Sequence, residues 1–463
     1  MPSGIGAEGI SVGLGSQGKA LLMAVLSTAE DGRRPLKALL VTERHFMKSY
    51  DGSAAIYRAW LNYLTGCGYD VSVLSFNQAR VRWDRGSEEE LRRQVKDLLI
   101  VDVCPNKAAA VLRQLASAAW RVVAGLRYLP TAVEGLFRSD QRSQIAKFLD
   151  AHDFDVVIVN KVVSTGLMGS ANLARINGLR LIDVHDNNPL RSRLTRIAML
   201  RLLHRVPREV ARMTRIQEVG ELLNWASMKR MMREEIRMLS GYDQVLFSSA
   251  EEAEAFRSAG LPPDRIRITP WPFENMVKDA APQDGSESAR PYHVGMVGSA
   301  GLFNLEGAVF LVDQVLPYLR ERVPGLRVLI AGSVCKQVRP LLAGDPSVTL
   351  VPWVDRLEDF YRQVEVVVVP LLSGTGVSIK SLEAGWVGSA IVSTPMGVRG
   401  LDLAEGRDVL VAAGHGAFAD AVVRLLDDPE LRQTLRTNVA RAIRARHSAA
   451  SFAGAMASIF SVL

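Results

Sequence analysis

The segment that decides the fold is Val364 to Asp402, VEVVVVPLLSGTGVSIKSLEAGWVGSAIVSTPMGVRGLD. Its first run of β-branched residues ends at Pro370, and a second apolar run, AIVST, ends at Pro395. Continuous apolar runs closed by proline predict strands covered on both faces, as in a parallel sheet. Between them lie a small polar turn, SGTG, and a helical stretch carrying Lys380 and Glu383. Three residues apart, the two charges share one helical face.

Reading outward, the same alternation recurs. YHVGMVG, RVLIAG and SVTLVPWV read as strands, EGAVFLVDQVLPYLRERV and LEDFYRQ as helices, and helices from Gly416 to His447 close the series. The first half repeats the plan. KALLVT, DVSVLSF, DLLIVDV, DVVIVN, LRLIDVHDNN and YDQVLFSS read as strands. DGSAAIYRAWLNYLTGCGY reads as a turn and a helix with Ile56, Ala59, Trp60 and Tyr63 on one face, and residues 107–150 as largely helical. Strands alternating with helices, twice over, predict an α/β protein of two doubly wound Rossmann-like domains. A composition change at APQDGSESARP marks a linker. The expected organisation is a flexible lead at 1–34, a first domain at 35–280, a linker at 281–291, a second domain at 292–440 and a terminal helix at 441–463.

The bulk composition agrees. At 463 residues the chain is too long for one ordinary core, and 48% hydrophobic with 23% charged residues reads as globular. No window offers the ~20 uninterrupted apolar residues of a membrane span. GKALLMAVLSTAED loosely resembles a signal peptide, but a flexible lead-in is the preferred reading. The three cysteines, Cys67, Cys104 and Cys335, are scattered, which suggests a reducing compartment and no zinc site.

In open α/β sheets ligands sit at the carboxyl ends of strands, over helix N-termini. Gly298, Ser299, Ala300 and Gly301 follow one strand, and the SGTG turn follows another. A lysine there suits a phosphate, and a glutamate suits the vicinal hydroxyls of a ribose. The plainer alternative is a solvated Lys–Glu pair worth a few tenths of a kcal/mol. A dinucleotide fingerprint is absent: Gly295, Gly298 and Gly301 are spaced three and three, and RVLIAGS carries no acid at its end.

PLLSGTGVSIKSLEAG followed by GSAIVSTPMGVRGL resembles the donor-binding signature of GT-B glycosyltransferases, and is similar to the retaining family 4 group. The resemblance covers the second domain from Tyr292 to Leu426, and DGSAAIYRAWLNYLTGCGYDV, DVHD and MKRMMREEIRMLSGYDQVLFSSAEEAEAF extend it into the first. It implies two Rossmann-like domains facing a cleft. It implies that Glu383 holds the donor ribose, that Gly374, Thr375, Gly376 and Val377 cover the diphosphate and sugar, and that Trp353 and Val354 frame the base. Thr375 stands where many members carry a second glutamate, and GSAGLFNLEGA lacks the usual Arg and Lys. Lys380 is therefore expected to meet part of the phosphate charge.

In the first domain His185 and Asp186 end an apolar strand and match the family's HD, which implies that His185 faces the donor sugar or reaction centre. Gly52 and Ser53, at the mouth of the first helix, would turn amides toward acceptor or diphosphate; a tight β–α turn is the plain alternative. The resemblance implies transfer of a sugar from a nucleotide-diphosphate sugar to a glycan or lipid-linked acceptor, with no cofactor; no metal is expected, since no Asp-x-Asp-type carboxylate pair ends a strand of the second domain. A non-catalytic sugar- or nucleotide-binding relative is the rival. Arg201, Arg205, Arg208, Arg212 and Arg215 form a basic stripe, interrupted at Pro207 and interleaved with Leu194, Ile197, Met199, Leu202 and Leu203. That segment, 190–215, reads either as an anionic-membrane contact or as a solvated face of a soluble domain. Nucleic acid is not expected, for want of aromatic interleaving. The expected location is the cytoplasm, with docking at the inner membrane face left open.

Overall fold

The computed structural model describes residues 34–47, 52–77, 82–103, 139–206, 208, 228–273, 290–342 and 344–460. The expected lead up to residue 33, Cys104, residues 107–138 of the expected helical stretch, most of the expected linker, Pro207, Arg212 and Arg215 lie outside them. The described residues form two compact units. The first draws on 34–186, 228–273 and 447–460, and the second on 187–208 and 290–446.

The first unit holds strands β1 (Lys37–Thr42), β2 (Asp70–Asn77), β3 (Asp97–Asp102), β4 (Val156–Asn160), β5 (Leu179–Val184), β6 (Gln244–Phe247) and β7 (Ile266–Ile268). The second holds β8 (Tyr292–Val297), β9 (Val328–Ala331), β10 (Val348–Val351), β11 (Val364–Val369), β12 (Ala390–Ser393) and β13 (Leu410–Val411). The helices that connect or flank them include α1 (Gly52–Gly66), α2 (Asn188–Leu203), α3 (Leu302–Phe310), α4 (Leu316–Arg322), α5 (Leu357–Gln363), α6 (Ile379–Trp386), α7 (Pro429–His447) and α8 (Ala449–Phe460).

Both sheets are parallel throughout, with orders β3-β2-β1-β4-β5-β6-β7 and β10-β9-β8-β11-β12-β13. In each, the order reverses between the first strand and the fourth, β1 against β4 and β8 against β11, which is where doubly wound sheets bind ligands. The continuous apolar runs explain the result: Val366, Val367, Val368 and Val369 of β11 are buried on both faces.

The first unit's core joins Leu39, Val41, Leu74, Val157, Val159 and Ile182 from its strands to Tyr242, Phe247 and Phe256. Helix α8 closes it: Phe452 lies 5.1 Å from Trp60 and 5.5 Å from Tyr63, ring centre to ring centre, edge to face.

The stretch Leu302–Arg322 is long and apolar enough to cross a membrane by length and composition, yet it is the core helix of the second unit, with Leu305, Ala308, Leu311, Val315 and Leu316 fully buried. Pro317 cannot donate a backbone hydrogen bond, and the helix widens to π spacing over Leu311–Val315 before α4.

Helix α2 also belongs to the second unit, whereas the sequence reading grouped it with the first. Asn187 caps it by accepting from the Leu190 amide at 3.0 Å, and Pro189 fits its first turn. Met199, Leu202 and Val206 are buried in the second unit's core, at about 1.5–3 kcal/mol for each fully buried side chain. Arg201 donates to Glu306 at 2.9 Å and Arg205 to Asp313 at 2.7 Å. Met199 and Leu202, which the membrane reading had counted as apolar contacts, thus face protein.

Candidate functional site

The loops after β8 and β11 meet at the second unit's switch point. The loop after β11 makes the turn Ser373–Val377, in which Gly376 takes φ +70°, a conformation that a side chain would strain. Arg399 donates to the Gly374 carbonyl at 3.2 Å, and Ser381 bonds to the Gly397 carbonyl, so the loop before Leu401 braces the turn. The hydroxyls of Ser373 and Ser378 are buried with no hydrogen-bond partner among the described residues. Buried hydroxyls are rarely left so, and two beside one turn point to ligand oxygens as their partners.

Helix α6 starts immediately after Ser378 and carries Lys380 and Glu383, both half-buried. Burial lowers the Lys380 ammonium from its ordinary value, opposed by the charge of Glu383. Burial likewise raises the Glu383 carboxyl, opposed by Lys380 and by a hydrogen bond that the buried Tyr361 hydroxyl donates at 3.2 Å. Tyr361 comes from α5, so a second element fixes the carboxylate. A solvated surface pair would lack this desolvation and this buried donor. The arrangement offers one cation, one oriented carboxylate and two hydroxyls around a small turn.

Gly298 and Ser299 follow β8. The amide of Gly298 donates to Ala331 at 2.9 Å, that of Ala300 to the Ser333 hydroxyl at 2.8 Å, and that of Gly301 to the Ser299 carbonyl at 2.7 Å. Asn304 donates to both Ser299 oxygens at 2.9 Å. This loop is therefore rigid, and those three amides are already engaged inside the protein. Trp353 and Val354 follow β10, two strands from β8. Trp353 is 75% exposed, with its indole N–H on Asp355 at 2.8 Å, while Val354 is half-buried.

The remaining sequence candidates lie in the first unit. Gly52 and Ser53 open α1 after β1, and His185 and Asp186 follow β5. His185 is buried between Tyr57 and Trp271, each 5.6 Å away, ring centre to ring centre. Its Nε2 is 3.7 Å from Asp183, a fully buried carboxyl that accepts from the Trp60 indole at 2.9 Å. Burial pushes Asp183 up to about 7, partly opposed by that hydrogen bond. At this unit's own switch point Lys161 follows β4 with φ +66° and donates to Glu43, after β1, at 2.8 Å.

The sequence reading missed Tyr361, Arg399, Ser378, Asp183 and the Lys161–Glu43 pair. Arg399 stood inside the quoted signature without a role. Tyr361 lies 22 residues before its partner on another helix, where no local spacing signals it.

Residues 291–428 match the family model described as glycosyl transferases group 1. An uncharacterized 44.6 kDa protein in the cps region of Klebsiella pneumoniae is 23% identical over 196 residues, which are 40% of this chain and 47% of that protein. The match thus spans about half of that relative's length. Among solved structures, Anabaena HepE in complex with UDP and glucose aligns over 92% of this chain and 100% of its own, at TM-score 0.61 and 13% identity. Sucrose-phosphate synthase from Thermosynechococcus elongatus aligns over 92% and 98%, at 0.59 and 16%. A glycosyltransferase from Rickettsia africae aligns over 93% and 99%, at 0.62 and 11%. The chain has the GT-B glycosyltransferase fold.

Proposed function

We propose that the protein transfers a sugar from a nucleotide-diphosphate sugar to a glycan or lipid-linked glycan, with retention of configuration as in the family 4 enzymes, in polysaccharide or glycoconjugate synthesis. The observation that carries this is the desolvated Lys380–Glu383 pair over a turn with two unpartnered buried hydroxyls, Ser373 and Ser378. Glu383, oriented by Tyr361, takes the ribose hydroxyls. Lys380 and the two serines take the diphosphate, with Gly374, Thr375, Gly376 and Val377 covering phosphate and sugar. Trp353 and Val354 frame the base. HepE, solved with UDP and glucose, supports a nucleotide-sugar donor, and the relative from a cps region supports a polysaccharide product.

In the proposed reaction the leaving diphosphate is stabilised by Lys380 and by backbone dipoles, and the acceptor attacks on the face the diphosphate leaves. The diphosphate itself takes the acceptor's proton, so no carboxylate pair is required. His185 contacts the sugar or reaction centre, and Gly52, Ser53 and Asp186 face the acceptor. The protein works in the cytoplasm. Of the basic segment, Leu200, Leu203 and Arg208 are exposed and remain open to an anionic membrane surface.

The test is calorimetry with nucleoside diphosphates and turnover across UDP-, GDP- and ADP-sugars. Glu383→Ala should remove most nucleotide affinity, and Lys380→Met should weaken diphosphates more than nucleosides, each by about 1.5–3 kcal/mol. Unchanged affinity in both variants rejects the assignment. Binding without turnover on every donor favours the non-catalytic reading. Neither switch-point turn, Gly298–Gly301 or Ser373–Ser378, contains a carboxylate. Turnover should therefore persist in EDTA; loss on chelation with recovery on Mn²⁺ or Mg²⁺ counts against Lys380 as the phosphate's main counter-charge.

A further inference from the structure

The opposite end of α6 borders a cavity of about 300 Å³. Val387 and Gly388, just past the helix, form one wall, and Arg436, Arg441 and Arg444 of α7 line the other. No lining residue is acidic. Helix α7 lies tight against α6: a Cβ on Gly385 would come within 2.7 Å of Ile443.

Two of the three guanidiniums are anchored on carbonyls at and just past the end of α6. Arg436 donates to Gly388 at 3.0 Å, and Arg444 donates to Trp386 through two nitrogens, at 3.1 and 2.6 Å. Helix capping accounts for those contacts. It does not account for Arg441, which is exposed and bonded to the neutral Asn438 side chain at 2.8 Å. The nearby Asp408 feels the Arg441 charge but is bound by Arg407 at 2.7 Å. The positive field extends inward: burial, then Arg436 and Arg432, bring the Arg290 guanidinium down to about 10.

We propose that this cavity binds a phosphate-bearing ligand, at a site separate from the Lys380–Glu383 turn. Three arginines line a space with no acid in its wall, so an oxyanion bearing two or more charges balances them better than a single carboxylate. Guanidinium N–H groups match phosphate oxygens; Arg441 keeps donors beyond the one on Asn438, and the anchored Arg436 and Arg444 keep those not spent on Gly388 and Trp386. The site does not depend on the proposed transfer reaction.

Pyrophosphate titrated calorimetrically into the full-length Lys380→Met protein is the test, since that variant weakens the turn at the other end of α6. One site is expected to remain. Adding Arg441→Gln should weaken it on the order of 10-fold, and Arg441→Glu should abolish it. No pyrophosphate binding to Lys380→Met, or equal affinity after Arg441→Glu, overturns the proposal. Arg441 is exposed, so a folding defect does not confuse the result. Sedimentation with phosphatidate-containing vesicles then separates the sources. Capture lost in Arg441→Glu assigns a lipid phosphate, while pyrophosphate binding without capture assigns a soluble one, and both uphold the site.

Discussion

Asp183 shows how one buried carboxyl sets the behaviour of its surroundings. Its ordinary value is near ~3.9, and burial raises it to about 7 in the folded chain. Between those values the unfolded chain has lost a proton that the folded chain retains. Stability from this group is therefore greatest in acid and falls as pH rises through that window, levelling off above about 7. Asp183→Asn keeps an acceptor for Trp60 and removes the titration. The variant's melting temperature, relative to wild type, should climb between about pH 4 and about pH 7; a difference that stays flat shows that Asp183 titrates normally. Nothing in LRLIDVHD announced this, because the desolvation comes from burial by other parts of the fold. Lys380 and Glu383, by contrast, could be singled out by their spacing on one helix, but that spacing suits a solvated pair as well; their burial and the Tyr361 donor come from other parts of the fold.

At the scale of elements, the long apolar runs were readable as strands because burial on both faces leaves no polar alternation to blur them. Strands β7 and β13 were not: IRI and LV are too short for any pattern, and pairing with β6 and β12 defines them. Helix α2 was readable as a helix but not as to its partner, since arginines interleaved with leucines suit a lipid surface and a protein groove alike. What decides is the buried carboxylate of Glu306 opposite Arg201. Arg201→Ala should destabilise the second unit by about 1–3 kcal/mol by leaving that carboxylate unpaired. Replacing both residues with methionine should restore most of the loss. Urea unfolding of the wild type and the two variants measures this; no loss in Arg201→Ala means the pair is idle.

For the whole molecule, the two units share one chain that passes between them more than once, since residues 187–208 serve the second and 447–460 the first. Phe452 fills the aromatic cluster of Trp60 and Tyr63 at 4% exposure. Phe452→Ala should cost the first unit about 3–5 kcal/mol. Denaturant unfolding should show the loss in that unit alone, and a change below about 1 kcal/mol denies α8 a structural role. Helix α8 also bears on the order of events during synthesis. A ribosome releases β1 to β7 long before it makes residues 447–460, so the first sheet waits, with Trp60 and Tyr63 uncovered, until the second unit has been translated in full. The half made first is the half completed last, and a nascent chain stalled between β7 and Ala449 lacks the ring that packs on Trp60 and Tyr63.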